Sequence, residues 1–542
     1  MYVDTSHRKT YTRYLLRDSF RKDGKVKHRT IASLSSCSQE EIAAIKLALK
    51  HKGDLAHLVS LKQIKTREGL RVGAVYGLKV IADRIGLTQA LGNDRQGKLA
   101  LWQVQARLMD QGSRLRAVRL ATSHAVCDVL GLEAFTEDHL YGNLAWLAER
   151  QEVIEKRLFQ HRYGNTAPQL FLYDVTSSYL EGVQNILAAF GYNRDGKKGK
   201  MQLVIGLLTG PEGAPVAVRV FAGNTADKKT VPEQIRILAE SFGVKEVTLV
   251  GDRGMLKQAQ IDRLNQEQFH YITAITKPQI EKLLREGVFQ MGLFEEKLAE
   301  VAHEGVRYIL RRNPERAREL ARGREAKLAR ARTLLNQKNL YLSGHPRANV
   351  AVAGRNIREK IEQLKIEDWV RVESRGSILE LVIDDGALKE AAKLDGCYVI
   401  KTDLSAETAS AQMVHDRYKD LAQVERAFRT FKNGHLEVQP TFVRIEASTR
   451  GHVFVVMLAY LVERELEQCW RGLETTVAEG IDDLGSLRGI ELTIGQATCQ
   501  QVPQPTGLTK QLLDAADIKL PEVLPCRKVH VATRKKLVSE RG

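Results

Sequence analysis

The chain has 542 residues, 43% of them hydrophobic and 27% charged, a balance that fits a folded protein and argues against a disordered one. Lys and Arg outnumber Asp and Glu by 83 to 66, a net charge of +17; so basic a surface attracts polyanions, of which nucleic acid is the commonest large one. Its six scattered cysteines contain no CxxC pair, which argues against a disulfide framework or a zinc ribbon and fits a reducing cytoplasm.

Residues 1–36 alternate polar and apolar around Asp23-Gly24, a hairpin turn signal, with YTRYLLRDSF and KVKHRTIASL as the strands. Arg13, Arg17, Arg21, Lys22, Lys25, Lys27 and Arg29 make this hairpin basic. It suits either the tracking of a phosphate backbone or the protection of an exposed sheet edge. The polar N-terminus does not read as a signal peptide. Residues 37–165 carry helical periodicity, opening with Ser38 before SQEEIAAIKLALKHK.

The texture changes at 166. QLFLYDVTSSYLEG is a short apolar run ending at Asp174, KMQLVIGLLTGPEGAPVAVRVFAGN is a pair of strands, and EVTLVGDRGM is a buried strand ending at Asp252. With the helices between them, 166–277 reads as α/β. Residues 278–394 are expected to hold antiparallel strands, GVRYILRRN and SILELVIDDG, around a basic helix with nine Lys or Arg against three Glu over 311–332. CYVIKTDLS returns to a buried strand, and 395–470 continues with one helix over 407–435 and an apolar helix over 447–470. The apolar run HVFVVMLAYLVERELE is broken by charge too soon to span a membrane. Residues 471–542 are mixed and end in a basic tail.

Several chemistries are excluded by motif. GYNRDGKK at 191–198 matches GxxxxGK but follows it with Lys198 in place of the Ser or Thr that a phosphate loop needs for Mg²⁺, and reads as a basic loop. There is no HExxH and no GxSxG. A carboxylate pattern remains. Asp174 and Asp252 end two strands of one α/β segment, where sheets open onto ligands, although an Asp there is often only a turn former. Carboxylates brought together repel unless a divalent cation lies between them, and oxygen donors suit Mg²⁺ or Mn²⁺. Two-metal phosphoryl transfer usually wants a third carboxylate. Glu425 is the candidate, in YKDLAQVERAFRTFK. On one helix a seven-residue step returns a side chain to nearly the same face, so Tyr418, Glu425 and Lys432 are expected to form one stripe. Leu421, Val424, Phe428 and Phe431 are expected to form the buried face.

The ordered set Asp174, Asp252 and Glu425 resembles the DDE transposases of bacterial insertion sequences, specifically the group-four superfamily with a Y-x2-R-x3-E-x6-K signature. Tyr418, Glu425 and Lys432 match that signature, while Leu421 stands where it places Arg. FAGNTADKKT is similar to the family's G-N-x2-D segment through Gly223, Asn224 and Asp227, and VGDRGM resembles its D-R/K-G motif through Asp252 and Arg253. The resemblance implies an RNase H-like mixed-sheet core with an antiparallel β insertion. It implies binding of double-stranded DNA at terminal inverted repeats, and strand cleavage and 3′-end transfer to target DNA with two Mg²⁺ ions, Mn²⁺ serving as a substitute. It implies a homodimer in the DNA complex. Asp174, Asp252 and Glu425 would be catalytic and metal-binding, and Tyr418, Lys432, Arg426, Arg429, Asn224 and Arg253 would contact DNA. A transposase-derived DNA-binding protein without catalysis, and a general RNase H-like nuclease, are the alternatives.

Overall fold

The computed structural model describes residues 1–542 except 8–10, 54–63, 165, 183, 193, 198, 434, 435, 440, 495, 496, 526, 528, 530 and 532–542. Most of the expected basic tail lies outside the described residues. Strands β1 (Tyr2–His7), β2 (Thr12–Lys22) and β3 (Lys25–Ser33) form an antiparallel sheet. The β2–β3 hairpin turns at Asp23 and Gly24 with φ of 55° and 72°, the left-handed pair that Asp-Gly favours. Part of its basic charge is neutralised, since Arg17 pairs with Asp4 and Arg29 with Asp18. Ser38 caps α1 (Gln39–Lys50) in a reciprocal box with Glu41.

A strand that the sequence did not announce, β4 (Ile64–Arg71), interrupts the helical region. Six helices follow: α2 (Gly73–Arg84), α3 (Leu87–Leu91), α4 (Arg95–Met109), α5 (Arg114–Ser123), α6 (Val126–Leu130) and α7 (Glu137–Tyr163).

The α/β segment contains β5 (Leu170–Tyr179), β6 (Gln202–Thr209), β7 (Pro215–Ala222), α8 (Val231–Arg236), β8 (Thr248–Gly251), α9 (Gln258–Gln266) and β9 (His270–Ala274). Then come α10 (Lys277–Arg285), β10 (Ala299–His303) and β11 (Val306–Arg312). Next is an excursion of α11 (Pro314–Gly344), α12 (Val350–Leu364), the hairpin β12 (Val370–Arg375) and β13 (Ile378–Ile383), and α13 (Asp385–Ala392). The chain returns through β14 (Cys397–Thr402) to α14 (Ala411–Lys419), α15 (Leu421–Asn433) and α16 (Glu446–Cys469). It closes with α17 (Val477–Ser486), β15 (Arg488–Ile494), β16 (Ala497–Gln501), α18 (Gly507–Ala515) and β17 (Val523–Leu524). β15 pairs with β4, so a strand that precedes α2 shares one sheet with the last strands of the chain.

The central sheet has eight strands in the order β10-β11-β14-β9-β8-β5-β6-β7. β5, β8 and β9 are mutually parallel, and β5, β6 and β7 form an antiparallel meander. This is the mixed sheet that an RNase H-like core requires. The strand expected at GVRYILRRN joins this sheet as β11, between β10 and β14, whereas the one at SILELVIDDG pairs with β12 in a separate hairpin. The excursion packs a small core of its own around Ile357, Ile361, Trp369 and Leu379.

α16 packs against α4, α7 and β7. Val453 through Leu461 are all buried, which explains a helix that is apolar on every side without a membrane. At Gly451 the backbones nearly touch: an added Cβ would lie 2.0 Å from the Leu144 carbonyl oxygen. Among the described residues, no helix is long and apolar enough to cross a membrane.

Candidate active site

Sheet register sets the first two carboxylates. β5 and β8 run parallel, and their last paired residues are Tyr173 and Gly251. The next residue on each strand is Asp174 and Asp252. Asp174 was expected to end its strand. Instead β5 runs on to Tyr179, because the β-formers Val175, Thr176 and Tyr179 keep pairing with β6 after β8 has stopped. Asp174 therefore sits mid-strand, half-buried, at the point where the parallel neighbour ends. Asp252 is exposed in a turn closed by the Met255 N–H on its carbonyl at 3.0 Å.

The third carboxylate comes from α15. Leu421, Val424, Ala427, Phe428 and Phe431 bury one face of this helix, as its apolar spacing predicts, and the helix packs on β5. Glu425 lies on its exposed face. The single helix expected over 407–435 is two helices parted at Asp420. An Asp inside a helix competes for local hydrogen bonds, and here the Asp420 carboxylate accepts from Arg417 at 3.1 Å while its carbonyl accepts from the Gln423 N–H at 2.9 Å. Tyr418 thus belongs to α14, and its seven-residue spacing from Glu425 is not a stripe on one helix. It reaches the same place by another route: its hydroxyl donates to Asp252 Oδ1 at 3.2 Å.

Electrostatics ties the three acids together. Burial pushes the Asp174 carboxyl up to about 7, and the charges of Asp252 and Glu425 add to the rise, against the Val175 N–H and Arg194. Among the described residues none of the three forms an ion pair, and no three ligand-type side chains close around a single point. Mg²⁺ commonly takes only one or two protein carboxylates, completing its shell with water and substrate phosphate. Three carboxylates that form no ion pair among the described residues are donors of the kind such an ion takes.

Lys432 is nearly buried and donates to Asp195 at 2.6 Å. Arg194 pairs with Asp227, the acid of the G-N-x2-D segment, and its N–H donates to Ser177 Oγ at 3.2 Å. Arg194 and Asp195 belong to the loop that the sequence offered only as a failed phosphate motif. Gly223 in the same segment is sterically required, since a Cβ would meet the Gln202 carbonyl oxygen at 1.9 Å. Asn224, Arg253, Arg426 and Arg429 are exposed, and Arg426 pairs with Glu467. Leu421, at the signature Arg position, is in the core.

Residues 165–462, more than half of the chain, match the transposase DDE domain family. The chain belongs to the DDE transposases. Residues 3–57 of this transposase also match the N-terminal domain of the IS1634 family transposases, which places it with the insertion-sequence enzymes. DDE transposases cleave and join DNA, and generally use a divalent metal. Among solved structures, a cryo-EM structure of the piggyBac transposase synaptic complex with hairpin DNA is similar over 71% of this chain and 69% of its own, at 8% identity and a TM-score of 0.35. No curated protein matches the transposase.

Proposed function

We propose that Asp174, Asp252 and Glu425 are the catalytic carboxylates and hold two Mg²⁺ ions, with Mn²⁺ as a substitute. We propose further that the transposase nicks double-stranded DNA at terminal inverted repeats and transfers the 3′ ends to target DNA. The observation that carries this reading is the sheet register that sets Asp174 and Asp252 one residue beyond the last β5–β8 pair, with α15, which bears Glu425, packed on β5. Bound Mg²⁺ supplies activation of the attacking hydroxyl and neutralisation of the leaving oxygen. Tyr418 orients Asp252 through its hydroxyl. Lys432 acts with Asp195 to fix the wall beside Asp174, and Asn224, Arg253, Arg426 and Arg429 offer polar and cationic contacts to the DNA backbone. Joining requires two DNA ends in one assembly, which a homodimer supplies by symmetry. Cytoplasmic action follows from the DNA substrate.

The test is strand cleavage of a duplex carrying the element's ends, with Mg²⁺. Glu425→Gln should slow nicking by about a thousandfold or more, the scale of losing an electrostatic catalytic group, while duplex binding is retained. Nicking at the wild-type rate would remove Glu425 from the site. Equal cutting of duplexes without the inverted repeats would point to a general nuclease.

A further inference from the structure

Elsewhere in the fold lies a cationic site that none of the three acids lines. Between the helical region and the start of α16 is a cavity of about 300 Å³ whose lining includes Arg107, Ser113, Arg114, Tyr141, Glu437 and His452. Arg107 and Arg114 are each 5% exposed, and His452 is 7% exposed. Among the described residues neither guanidinium is in an ion pair. Arg107 Nη1 donates to the Gln111 carbonyl at 2.6 Å, but its Nε is buried with no partner. Arg114 Nη2 lies 3.1 Å from His452 Nδ1. Arg114 can only donate, so Nδ1 accepts, and the His452 ring also hydrogen-bonds the Val438 backbone. His452 is therefore neutral and compensates neither charge; Glu437 and Asp110 oppose the charge of Arg107 only in part, without an ion pair among the described residues.

Buried cations without a counter-ion are costly. Burial pulls Arg107 down to about 10 and Arg114 down to about 9, and the charge of Arg107 adds to the pull on Arg114. Among the described residues, the only carboxylate lining the cavity is the exposed Glu437. α5 begins at the cavity, with Ser113 as its N-cap, so the positive end of a helix faces the same space. At the rim, Tyr141 is 45% exposed and Phe442 69% exposed, flat surfaces of the kind on which bases stack.

We propose that this cavity binds the phosphate group of a nucleotide, anchored by Arg107 and Arg114, at a site separate from the three carboxylates. Two buried guanidinia, a helix N-terminus and an aromatic rim specify a planar-faced oxyanion ligand. The phosphate belongs either to a DNA strand or to a free nucleotide. The site stands whether or not the carboxylate assignment holds.

The test uses the full-length protein and inorganic phosphate, titrated against chloride at constant ionic strength. Hydrogen exchange is followed in peptides covering 107–116 and 437–443, together with Tm. Phosphate should protect both peptides of the wild type and of Glu425→Gln. Arg114→Met should keep or raise the phosphate-free Tm, because it removes an uncompensated buried charge, and should weaken phosphate at least about tenfold, the lower range for a charge-assisted hydrogen bond. Glu437→Gln, at an exposed position, should tighten phosphate several-fold by removing the competing anion, and it decides the matter if Arg114→Met fails to fold. For the source of the phosphate, binding of an element-end duplex is measured against salt with Arg107→Gln/Arg114→Gln. A fall of about one in the log–log slope assigns the site to DNA, while an unchanged slope assigns it to a free nucleotide. The proposal is overturned if phosphate protects neither wild-type peptide beyond chloride. It is equally overturned if Arg114→Met folds with lower Tm and undiminished phosphate protection, or if Glu437→Gln leaves phosphate affinity unchanged.

Discussion

The Tyr418 hydroxyl donates to Asp252 Oδ1 at 3.2 Å, joining the last turn of α14 to the turn that follows β8. Burial holds the phenol protonated, and the neighbouring Asp252 carboxylate reinforces this, so Tyr418 serves Asp252 as a donor throughout the physiological range. Tyr418→Phe keeps the ring and removes the donor. A hydrogen bond to a charged group is worth about 1.5–3 kcal/mol. Single-turnover nicking should therefore slow by about tenfold or somewhat more, with the circular dichroism spectrum unchanged. A variant as fast as wild type would show that Asp252 needs no help from α14.

Lys432 and Asp195 form a pair whose side chains are 9% and 18% exposed. The pair links α15 to the loop that also carries Arg194. Losing one partner of an enclosed pair costs about 3–5 kcal/mol, and partial access to water at Asp195 reduces this. Lys432→Met should destabilise by about 2–3 kcal/mol. Lys432→Met/Asp195→Leu should recover much of the loss, because the carboxylate that lost its cation has gone too. Urea unfolding midpoints measure both. If activity falls far more than stability in Lys432→Met, the ammonium acts on DNA as well as on Asp195.

The three acids proposed for the site each stand beside a strong local pattern: Asp174 after an apolar run, Asp252 in Asp-Arg-Gly, and Glu425 opposite a clean apolar stripe. The break at Asp420 was less legible, since one Asp in good helical periodicity carries little weight against the hydrophobic signal. β11 was visible as a strand, but its membership of the central sheet depends on pairing with β14 across the whole α11–α13 excursion. β4 lacks a continuous apolar face and is held by β15 from the far end of the chain. Arg107, Arg114 and His452 carry no sequence signal as a group, because tertiary packing of α4, α5 and α16 alone brings them together.

A second buried pair joins α7 to the central sheet. Arg219 on β7 donates to both oxygens of Glu155 at 2.8 and 2.9 Å, and Glu155 is 1% exposed. Burial raises the Glu155 carboxyl, while Arg219, Gln151 and the Val218 N–H hold it down. Arg219→Met should cost about 3–5 kcal/mol by leaving this buried carboxylate without its cation. Arg219→Met/Glu155→Leu should cost far less than the two single changes added together, since an apolar pair of similar volume often replaces a buried ion pair without loss. Strict additivity in denaturant unfolding would mean that the two side chains do not depend on each other.

Glu463 on α16 carries a penalty that varies with pH. Burial pushes its carboxyl up to about 7, with the Glu467 charge adding to the effect, and among the described residues its buried Oε2 has no hydrogen-bond partner. In the unfolded chain the group titrates near its ordinary value of 4.5. The folded pKa is the higher one, so folding favours the protonated form. This contribution is fully present below about 4.5, is lost progressively as pH rises towards about 7, and stays lost above. Glu463→Gln keeps the shape and removes the ionisation. Each pKa unit is worth about 1.4 kcal/mol, and the partial exposure of the side chain reduces the total. The variant should therefore be more stable than wild type by about 1–3 kcal/mol at pH 8 and nearly equal to it at pH 4. Denaturant midpoints across that range would show the difference opening between pH 4.5 and 7. A gap that is constant with pH would mean that Glu463 titrates alike in the folded and unfolded protein, so that burial does not raise it.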